Sequence, residues 1–333
     1  MAEFNIYDAA QAAQMIKDEI QERYNDFNTL NVVVIGKTGV GKSTLINTVF
    51  GDSVAEVGIG TPVTQAIRKL EKEGVPLAIY DTPGLELQGN HSTENLLEEV
   101  SELINEGIRH NDVNQAIHCI WYCINTTSSR IEPTEMDFLR KLGENTKRCN
   151  VPVILVLTQA FSPKKTEEMV MVIRKANLPV REVVPVLAQD YEISEVFPKI
   201  PAFGIDKLVE VMNKLLPDTV RDTFVALQIV SIDLKRARAR AVVTGAAGAA
   251  ALTGAAPIPF SDAAILVPTQ VSMLAGITAV FGLPLGKSAL TSIVTATIGT
   301  AGTTVLGKTV VANLVKKNPK MVVLCTGEQP CSL

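Results

Sequence analysis

Nine residues near the start of this sequence combine glycines, lysines and hydroxyl side chains in a spacing that suits phosphate binding. They read Gly-Lys-Thr-Gly-Val-Gly-Lys-Ser-Thr from residue 36 to residue 44. Glycines let the main chain approach an anion closely, and successive backbone N–H groups can converge on its oxygens. In the pattern G-x-x-x-x-G-K-S, the lysine reaches the terminal phosphates and the serine hydroxyl binds Mg²⁺. The predicted nucleotide-binding residues of this loop are Lys37, Thr38, Gly39, Val40, Gly41, Lys42, Ser43 and Thr44, with Ser43 as a metal ligand and Lys42 also as a catalytic candidate.

The segments on either side of this loop are suited to positioning it. The apolar run 30–35 precedes the loop and predicts a strand, and the run 45–50 follows it and predicts a helix. A helix N-terminus carries unpaired N–H groups and partial positive charge, which favour an anion. The strand–loop–helix context therefore indicates a phosphate cradle rather than an ordinary connecting turn.

A second group suited to Mg²⁺ and phosphate follows the predicted strand 75–80. It reads Asp81-Thr82-Pro83-Gly84. At a strand end, Asp81 can hold Mg²⁺ through water, and Gly84 can offer its N–H to a γ-phosphate in a contact that hydrolysis breaks. Alone, these four residues form an ordinary turn sequence. Beside the first loop they predict a nucleoside triphosphate site with Asp81 as a metal ligand.

Together, these two motifs resemble those of the translation-factor-like P-loop GTPases, and more closely the Era/TrmE-like branch of that class. The segment 60–64 lies where that branch carries its switch threonine, and residues 74–77 resemble the hairpin that follows. Pro62 stands where the resemblance implies the Mg²⁺-binding threonine. Either Thr61 or Thr64 must then take that place, and we favour Thr64 as the metal ligand.

Recognition of the base is expected after the predicted strand 151–157. The resemblance implies an Asn/Thr-Lys-x-Asp motif there, in which the aspartate binds guanine. This chain instead has Thr158, Gln159, Ala160 and Phe161, so the aspartate is missing. Some relatives of the septin-like and chloroplast-import GTPases also lack it, so the resemblance still implies GTP. We predict that Thr158 and Gln159 contact the base, together with a backbone-donating loop at Ala188 and Gln189.

The residue that would position the attacking water is not evident from the sequence. Leu85, which follows the second motif, cannot orient water, although an apolar residue is common there in Era-like GTPases. Gln88, His91 and Arg130 are the remaining candidates beside Lys42. A surface or local structural role is the alternative for each of them.

The order of predicted elements indicates the fold. From residue 30 to about residue 216, apolar strand-like runs alternate with helical patterns. Such alternation predicts an α/β fold with a doubly wound, mainly parallel sheet, whose ligand lies at the carboxyl ends of the strands. Every motif described above falls at that edge. The aromatic pair Trp121 and Tyr122 is predicted to pack in the core.

Length and composition bound the organisation of the chain. With 333 residues and 47% hydrophobic content, it can form two domains with substantial cores. The net charge of −4 argues against a general nucleic-acid coat, and five cysteines without metal spacing suggest reduced thiols in a cytoplasmic protein. No signal peptide is visible.

The predicted domains are an N-terminal amphipathic helix at 1–29, a nucleotide-binding domain at 30–222, a helical domain at 223–318 and a tail at 319–333.

The region after residue 228 leaves two interpretations open. A basic segment at 235–240 leads into long uncharged stretches within residues 241–315, rich in Ala, Gly and Thr. Their length approaches that of a bilayer-spanning helix, but small residues drive transfer into lipid only weakly. The alternatives are a membrane-contacting hairpin and a compact helical domain. The segment 257–262, Pro-Ile-Pro-Phe-Ser-Asp, is similar to a loop in poorly characterised bacterial Era-like GTP-binding proteins.

These observations predict a GTP-binding switch that hydrolyses GTP to GDP slowly with Mg²⁺ and couples its nucleotide state to the helical C-terminal domain. A nucleotide-gated scaffold with negligible hydrolysis and an ATPase are the alternatives. The expected partners are GTP or GDP, an unknown protein and a nucleotide-dependent second copy, with a membrane surface left open. No DNA partner is expected, and the sequence contains no recognisable RNA-binding module for RNA or ribosome contact.

Overall fold

The computed structural model describes residues 18–23, 25–51, 59–62, 67–71, 75–82, 93–128, 131–192, 198–254 and 262–282. These residues form two compact units. One unit comprises residues 27–236, and the other takes in the described residues of 18–26 and 237–282. The domain limits at 29/30, 222/223 and 318/319 stay predictions.

A seven-stranded sheet forms the centre of the larger unit. Its strands are β1 (Leu30–Gly36), β2 (Ile59–Pro62), β3 (Arg68–Glu71), β4 (Leu77–Asp81), β5 (Cys119–Asn125), β6 (Val153–Thr158) and β7 (Glu182–Pro185). Their order is β2-β3-β4-β1-β5-β6-β7, with β1 parallel to β4 and β5 and with β5, β6 and β7 parallel in turn. The two antiparallel pairings among the described strands are those of β2 with β3 and of β3 with β4. The predicted mainly parallel sheet is confirmed.

Helices cover both faces of this sheet. They are α1 (Lys42–Phe50), α2 (Thr93–His110), α3 (Pro133–Cys149), α4 (Pro163–Ala176), α5 (Ile205–Leu215) and α6 (Asp218–Leu227). Successive side chains of a strand point to opposite faces. Val32 and Val34 of β1 accordingly pack in the core formed with α1, α5 and α6, whereas Val33 and Ile35 pack in the core formed with α2, α3 and α4. The predicted doubly wound arrangement is therefore confirmed.

The aromatic residues of β5 lie in these two cores, as predicted. Trp121 is fully buried and stacks on Phe50 of α1, with ring centroids 6.0 Å apart and planes 9° apart. Tyr122, on the other face, lies 5.8 Å from the Phe138 ring of α3. Each ring fills space between the sheet and a helix, so the pair anchors β5 to both layers.

Helix α3 starts at Pro133, within the segment 130–135, whose acidic residues suit a helix N-terminus. Proline fits the first helical position because it has no N–H to leave unpaired. Glu132 and Glu135 form a reciprocal capping box in front of the first turn. The cap therefore fixes the helix start.

The apolar run 116–125 predicts a strand, but β5 starts only at Cys119, directly after His118, which is hydrogen-bonded to the neighbouring strand. The Asn31 N–H donates to Nδ1 of His118 at 3.0 Å, and the Asn31 amide donates to the carbonyls of Asn114 and Ala116. These carbonyls are bonded to a side chain, so residues 114–116 lie outside the strand ladder.

Acid is expected to destabilise the protein through His118. Burial lowers the pKa of its imidazole from 6.5 to about 4, so the folded chain keeps it neutral while the unfolded chain takes up a proton below pH 6.5. The free energy of unfolding should therefore fall by about 3 kcal/mol between pH 6.5 and pH 4 from this group alone. Urea unfolding across this pH range measures the loss.

His118→Asn provides the control for that titration, because its side-chain oxygen can still accept the Asn31 N–H while carrying no titratable ring. The variant should be less stable at neutral pH and should lose the additional decline between pH 6.5 and pH 4. A decline equal to that of the wild type would show that another group is responsible.

The second unit contains most of helix α7 (Ile232–Gly254) and all of helix α8 (Asp262–Phe281). The two helices approach closely at Gly276, where an added Cβ would lie 2.8 Å from a methyl group of Val242. Among the helices that the structure describes, none is both long and apolar enough to cross a bilayer. Residues 1–17 of the predicted N-terminal helix, the uncharged stretch from 288 and the tail at 319–333 lie outside the described residues.

Candidate functional site

The predicted phosphate loop lies at the carboxyl end of β1, in the middle of the sheet. It joins β1 to the first residue of α1, Lys42, and β1 is flanked by the parallel strands β4 and β5. Gly39 and Gly41 adopt left-handed backbone conformations, with φ of 76° and 94°. Glycine accepts this region at no steric cost, so the motif glycines permit the sharp turn into the helix. Among the described residues, no side chain caps the helix N-terminus.

Lys42 is the best-positioned side chain of this loop. Its ammonium donates to the Gly36 carbonyl at 3.0 Å and lies 3.9 Å from Oδ1 of Asp81. The side chain is only 11% exposed. A cation held inside the turn by one main-chain oxygen can be drawn to an incoming phosphate at low reorganisation cost.

Asp81 lies where a divalent ion would need a carboxylate. It ends β4, and its backbone pairs with Val34 of β1 in the parallel ladder. Its Oδ1 atom is buried and has no hydrogen-bond partner among the described residues. Burial raises the pKa of the Asp81 carboxyl, and the charges of Lys42 and Arg68 counteract part of that rise. A buried carboxylate oxygen that accepts no hydrogen bond from the described residues is suited to Mg²⁺ or one of its waters.

The metal ligands predicted from the sequence are only partly covered by the structure. Ser43 is exposed in the first turn of α1, beside Lys42. Thr61 lies in β2 opposite Lys69, and Thr64 lies outside the described residues. No group of three or more His, Cys, Asp or Glu side chains suited to a metal occurs in the described part of the chain. Mg²⁺ needs no such group, because it usually keeps several waters and takes oxygens from substrate phosphates.

Lys37, another predicted loop residue, is tied to helix α3. Its ammonium lies 3.0 Å from Oε1 of Glu132 and 3.5 Å from Oε2 of Glu135, the two residues of the capping box. Burial lowers the pKa of Lys37, but the hydrogen bond to Glu132 and the charge of Glu135 outweigh that effect and raise it overall. Sequence reasoning missed these two glutamates, although their Glu-x-x-Glu spacing around Pro133 was visible.

The remaining loop residues differ in exposure. Thr38 and Gly39 are exposed, and Val40 is buried in the core beneath the loop. Thr44 faces a cavity of about 350 Å³ that opens beside the loop. Thr158, Gln159, Ala188 and Gln189 line the same cavity, so the structure brings the predicted base-binding residues together at one place.

Gln159 links three parts of this site. Its backbone is left-handed, with φ of 52°, at the end of β6. Its side-chain amide donates to the Gly39 carbonyl at 3.2 Å, and its side-chain oxygen accepts from the Asn125 amide at 2.9 Å. The Thr126 hydroxyl donates to its backbone carbonyl at 2.7 Å. Gln159 therefore holds the phosphate loop against the ends of β5 and β6, and its predicted contact with the base stays a prediction.

Replacing Gln159 with leucine should weaken binding of all nucleoside triphosphates about equally. The substitution keeps the side-chain bulk but removes the bonds to Gly39 and Asn125, so the loop loses a tether that does not depend on the base. Two neutral hydrogen bonds correspond to a loss of about 10-fold in affinity. Equilibrium titration with GTP and ATP measures it.

Gln115→Leu is the matched control for that substitution, because Gln115 is exposed between α2 and β5, does not line the cavity and bonds through its side chain to Asp112. A loss confined to GTP on replacing Gln159 would contradict a loop-positioning role and would indicate a base contact instead.

Sequence reasoning gave no role at this cavity to Phe161, Asp190 or Tyr191, which also line it. The rings of Phe161 and Tyr191 stack with centroids 4.5 Å apart and planes 6° apart. Asp190 directly precedes Tyr191, and its Oδ1 accepts the Ala202 N–H at 2.8 Å. The signal that could have found Asp190 is its place directly after Gln189, in the loop that follows the last strand.

Four of the predicted site residues and one further candidate lie outside the described residues. They are Thr64, Gly84, Gln88 and Arg130, with His91 as the further candidate. For Thr61 the structure gives the strand but no description of the side chain. The roles assigned to these residues from the sequence stay predictions.

Comparison with known proteins gives a family match and several relatives. Residues 31–159 match the family model described as "50S ribosome-binding GTPase". The chain is 28% identical over 169 residues to neuronal-specific septin-3 of Rattus norvegicus, covering 44% of this chain and 46% of that protein. It is 29% identical over 139 residues to septin-9 of Homo sapiens, covering 34% and 23%. The chain thus spans less than half the length of these relatives.

The solved structures that match this chain include that of Toc33 from Arabidopsis thaliana in complex with GDP and Mg²⁺. It is 19% identical, covers 65% of this chain and 92% of that chain, and gives a TM-score of 0.36. The family match and the strand order described above agree on a P-loop GTPase fold for the sheet-containing unit.

Proposed function

We propose that this chain is a GTP-binding switch that hydrolyses GTP slowly in the presence of Mg²⁺. The observation that carries the proposal is the position of Lys42. Its ammonium lies between the Gly36 carbonyl of the loop and the Asp81 carboxylate that ends the neighbouring strand. The family match over residues 31–159 and the similarity to septins support the same function.

In this proposal the chain binds the triphosphate through main-chain and side-chain donors. Backbone N–H groups of residues 38–44 surround the phosphates at the N-terminus of α1, and Lys42 neutralises charge on the β- and γ-phosphates. Ser43 and Asp81 would hold Mg²⁺, and Thr64 or Thr61 would complete the site from the switch segment. When bound, the ion neutralises the charge that develops as the γ-phosphoryl group transfers. The segment 83–91, including Gly84, would change its contacts when the γ-phosphate leaves.

The switch output is proposed to reach the helical C-terminal region. The nucleotide state would alter segments 61–64 and 85–91, and these would change how the helices meet a protein partner, a second copy or a membrane surface. We also propose that the chain is related to the Era/TrmE-like GTPases, whose motifs the segments 36–44 and 81–84 resemble. The proposed location is the cytoplasm, with membrane association through residues 241–315 as the open alternative.

Single-turnover phosphate release tests the hydrolytic part of this function. Purified protein in excess over GTP and Mg²⁺ should release phosphate slowly, at a rate that falls when Lys42 is replaced. Binding without any phosphate release would favour the second candidate, a nucleotide-gated scaffold. The observation that favours that candidate is Leu85, which follows Gly84 and has no group to orient water.

Competition between GTP and ATP tests the base preference. The ATPase alternative rests on Phe161, which stands where the resemblance implies the guanine-binding aspartate. We expect GTP to displace a fluorescent GDP analogue at a concentration at least about 10-fold lower than ATP does, because guanine offers hydrogen-bond donors that adenine lacks. Equal displacement would favour the ATPase.

A further inference from the structure

Guanine and adenine differ in the hydrogen bonds that their edges offer. Guanine presents two adjacent N–H donors, at N1 and at the 2-amino group, whereas adenine has an acceptor at N1 and no 2-amino group. An ionised carboxylate only accepts hydrogen bonds, so it suits guanine and leaves adenine unmatched. A site that selects GTP therefore needs such an acceptor within reach of the base. In this chain the expected position, residue 161, holds a phenylalanine.

A carboxylate lies in the same cavity on a different loop. Of the described residues that line the cavity beside the phosphate loop, Asp190 is the one that carries a charge. It follows β7, which is the parallel neighbour of β6, so its loop and that of Phe161 leave the sheet at the same edge. The cavity thus contains an acceptor that the loop after β6 lacks.

The loop that carries Asp190 is held in place on both sides. Leu187 and Phe203 exchange two backbone hydrogen bonds of 3.0 Å, and Tyr191 and Ile200 exchange bonds of 2.8 and 2.9 Å. Between these pairs, the Ala202 N–H donates to Oδ1 of Asp190 at 2.8 Å. Oδ2 has no hydrogen-bond partner among the described residues. The carboxylate is therefore oriented through one oxygen and can accept from a ligand through the other.

The aromatic stack places this carboxylate beside the position where the aspartate is missing. Tyr191, the next residue after Asp190, stacks face to face on Phe161 with ring centroids 4.5 Å apart. The contact joins the loop after β7 to the loop after β6. Phe161 therefore supports the loop that supplies the acceptor rather than supplying one itself.

Building on the proposed function, we propose that Asp190 is the residue that selects guanine, by accepting hydrogen bonds from the N1 and 2-amino groups of the base. The acceptor lies in the loop after β7 rather than in the loop after β6, and the Phe161–Tyr191 stack holds the two loops together. Asp190 determines base specificity and has no part in phosphate binding.

Asp190→Asn tests this proposal, with affinities measured for GTP, XTP and ATP by equilibrium titration. The asparagine oxygen can still accept the Ala202 N–H, so thermal stability should stay unchanged. The asparagine side chain offers an N–H donor to the base. The 2-amino group of guanine cannot accept this hydrogen bond, whereas the 2-oxo group of xanthine can. GTP affinity should fall by about 10- to 100-fold, and XTP affinity should rise above that of the wild type. Glu182→Gln, which removes an exposed carboxylate at the start of β7, is the matched control and should change neither affinity.

Three outcomes would overturn the proposal, and Lys42→Ala separates them from a failure of the proposed function. Unchanged GTP and XTP affinities in Asp190→Asn would show that Asp190 does not contact the base. An equal loss for GTP, XTP and ATP would indicate a structural role. A loss for GTP without a gain for XTP would exclude the donor–acceptor exchange. In all three cases, a large loss of triphosphate affinity in Lys42→Ala would leave the proposed function standing, whereas no effect of Lys42→Ala would remove that function itself.

Discussion

Replacing Lys42 with alanine is expected to lower affinity for Mg²⁺·GTP by about 100-fold or more. The ammonium lies 3.0 Å from the Gly36 carbonyl and is mostly shielded from solvent, so its charge acts on the phosphates with little screening. A hydrogen bond to a charged partner contributes about 1.5–3 kcal/mol, and Lys42 would contact more than one phosphate. Equilibrium titration with a slowly hydrolysed GTP analogue measures the loss.

A surface lysine provides the control for this substitution. Lys214 forms an exposed ion pair with Glu210 on α5, so Lys214→Ala removes the same charge away from the proposed site. That variant should bind the analogue like the wild type. Thermal unfolding of Lys42→Ala should stay close to that of the wild type. A large loss of stability would make the binding result uninformative, and Lys42→Met, which retains the aliphatic bulk, would then replace it.

Substituting Gly204 with alanine is expected to cost roughly 2–5 kcal/mol of unfolding free energy. Gly204 precedes α5 with φ of 82°, a region that side chains enter at a cost of about 1–2 kcal/mol. An added Cβ would also collide with the carbonyl oxygen of Pro185, the last residue of β7. That overlap adds about 1–3 kcal/mol because neither backbone can move freely. Urea unfolding at neutral pH measures the total.

Gly41→Ala, measured without nucleotide, isolates the conformational part of that cost. Gly41 precedes α1 with φ of 94°, in the same left-handed region as Gly204, and nothing lies within 4 Å of its added Cβ. The variant should lose only about 1–2 kcal/mol. Equal losses in the two variants would show that backbone conformation, and not the contact between α5 and β7, sets the requirement for glycine at residue 204.

The main features of the fold follow from local patterns. A fully buried strand reads as a continuous apolar run, as in 30–35 and 153–157, and the covering helices show one apolar face each. Such patterns predicted the alternation of strands and helices and hence the doubly wound sheet. The residues at which helices and strands begin were harder to predict, because they depend on partners distant in sequence. The hydrogen bond between Asn31 and His118, which are 87 residues apart, is one example.

The candidate site was likewise predictable from the sequence only in part. The phosphate loop and Asp81 were predictable because each motif is contiguous and each residue type has a defined role in phosphate or metal binding. Asp190 was not, because its placement requires the stack between Phe161 and Tyr191, 30 residues apart in sequence. The pairing of Lys37 with Glu132 and Glu135 likewise needs the packing of α3 against the loop.

Nucleotide binding by the loop between β1 and α1 is tested most directly by equilibrium titration of the purified wild-type chain with a slowly hydrolysed GTP analogue, with and without Mg²⁺. We expect a single saturable site whose affinity falls by at least about 10-fold when Mg²⁺ is removed, since the ion offsets the charge of the β- and γ-phosphates. We also expect weaker binding of the corresponding ATP analogue. Absence of saturable binding in the presence of Mg²⁺ would contradict the claim that the loop between β1 and α1 holds a nucleoside triphosphate.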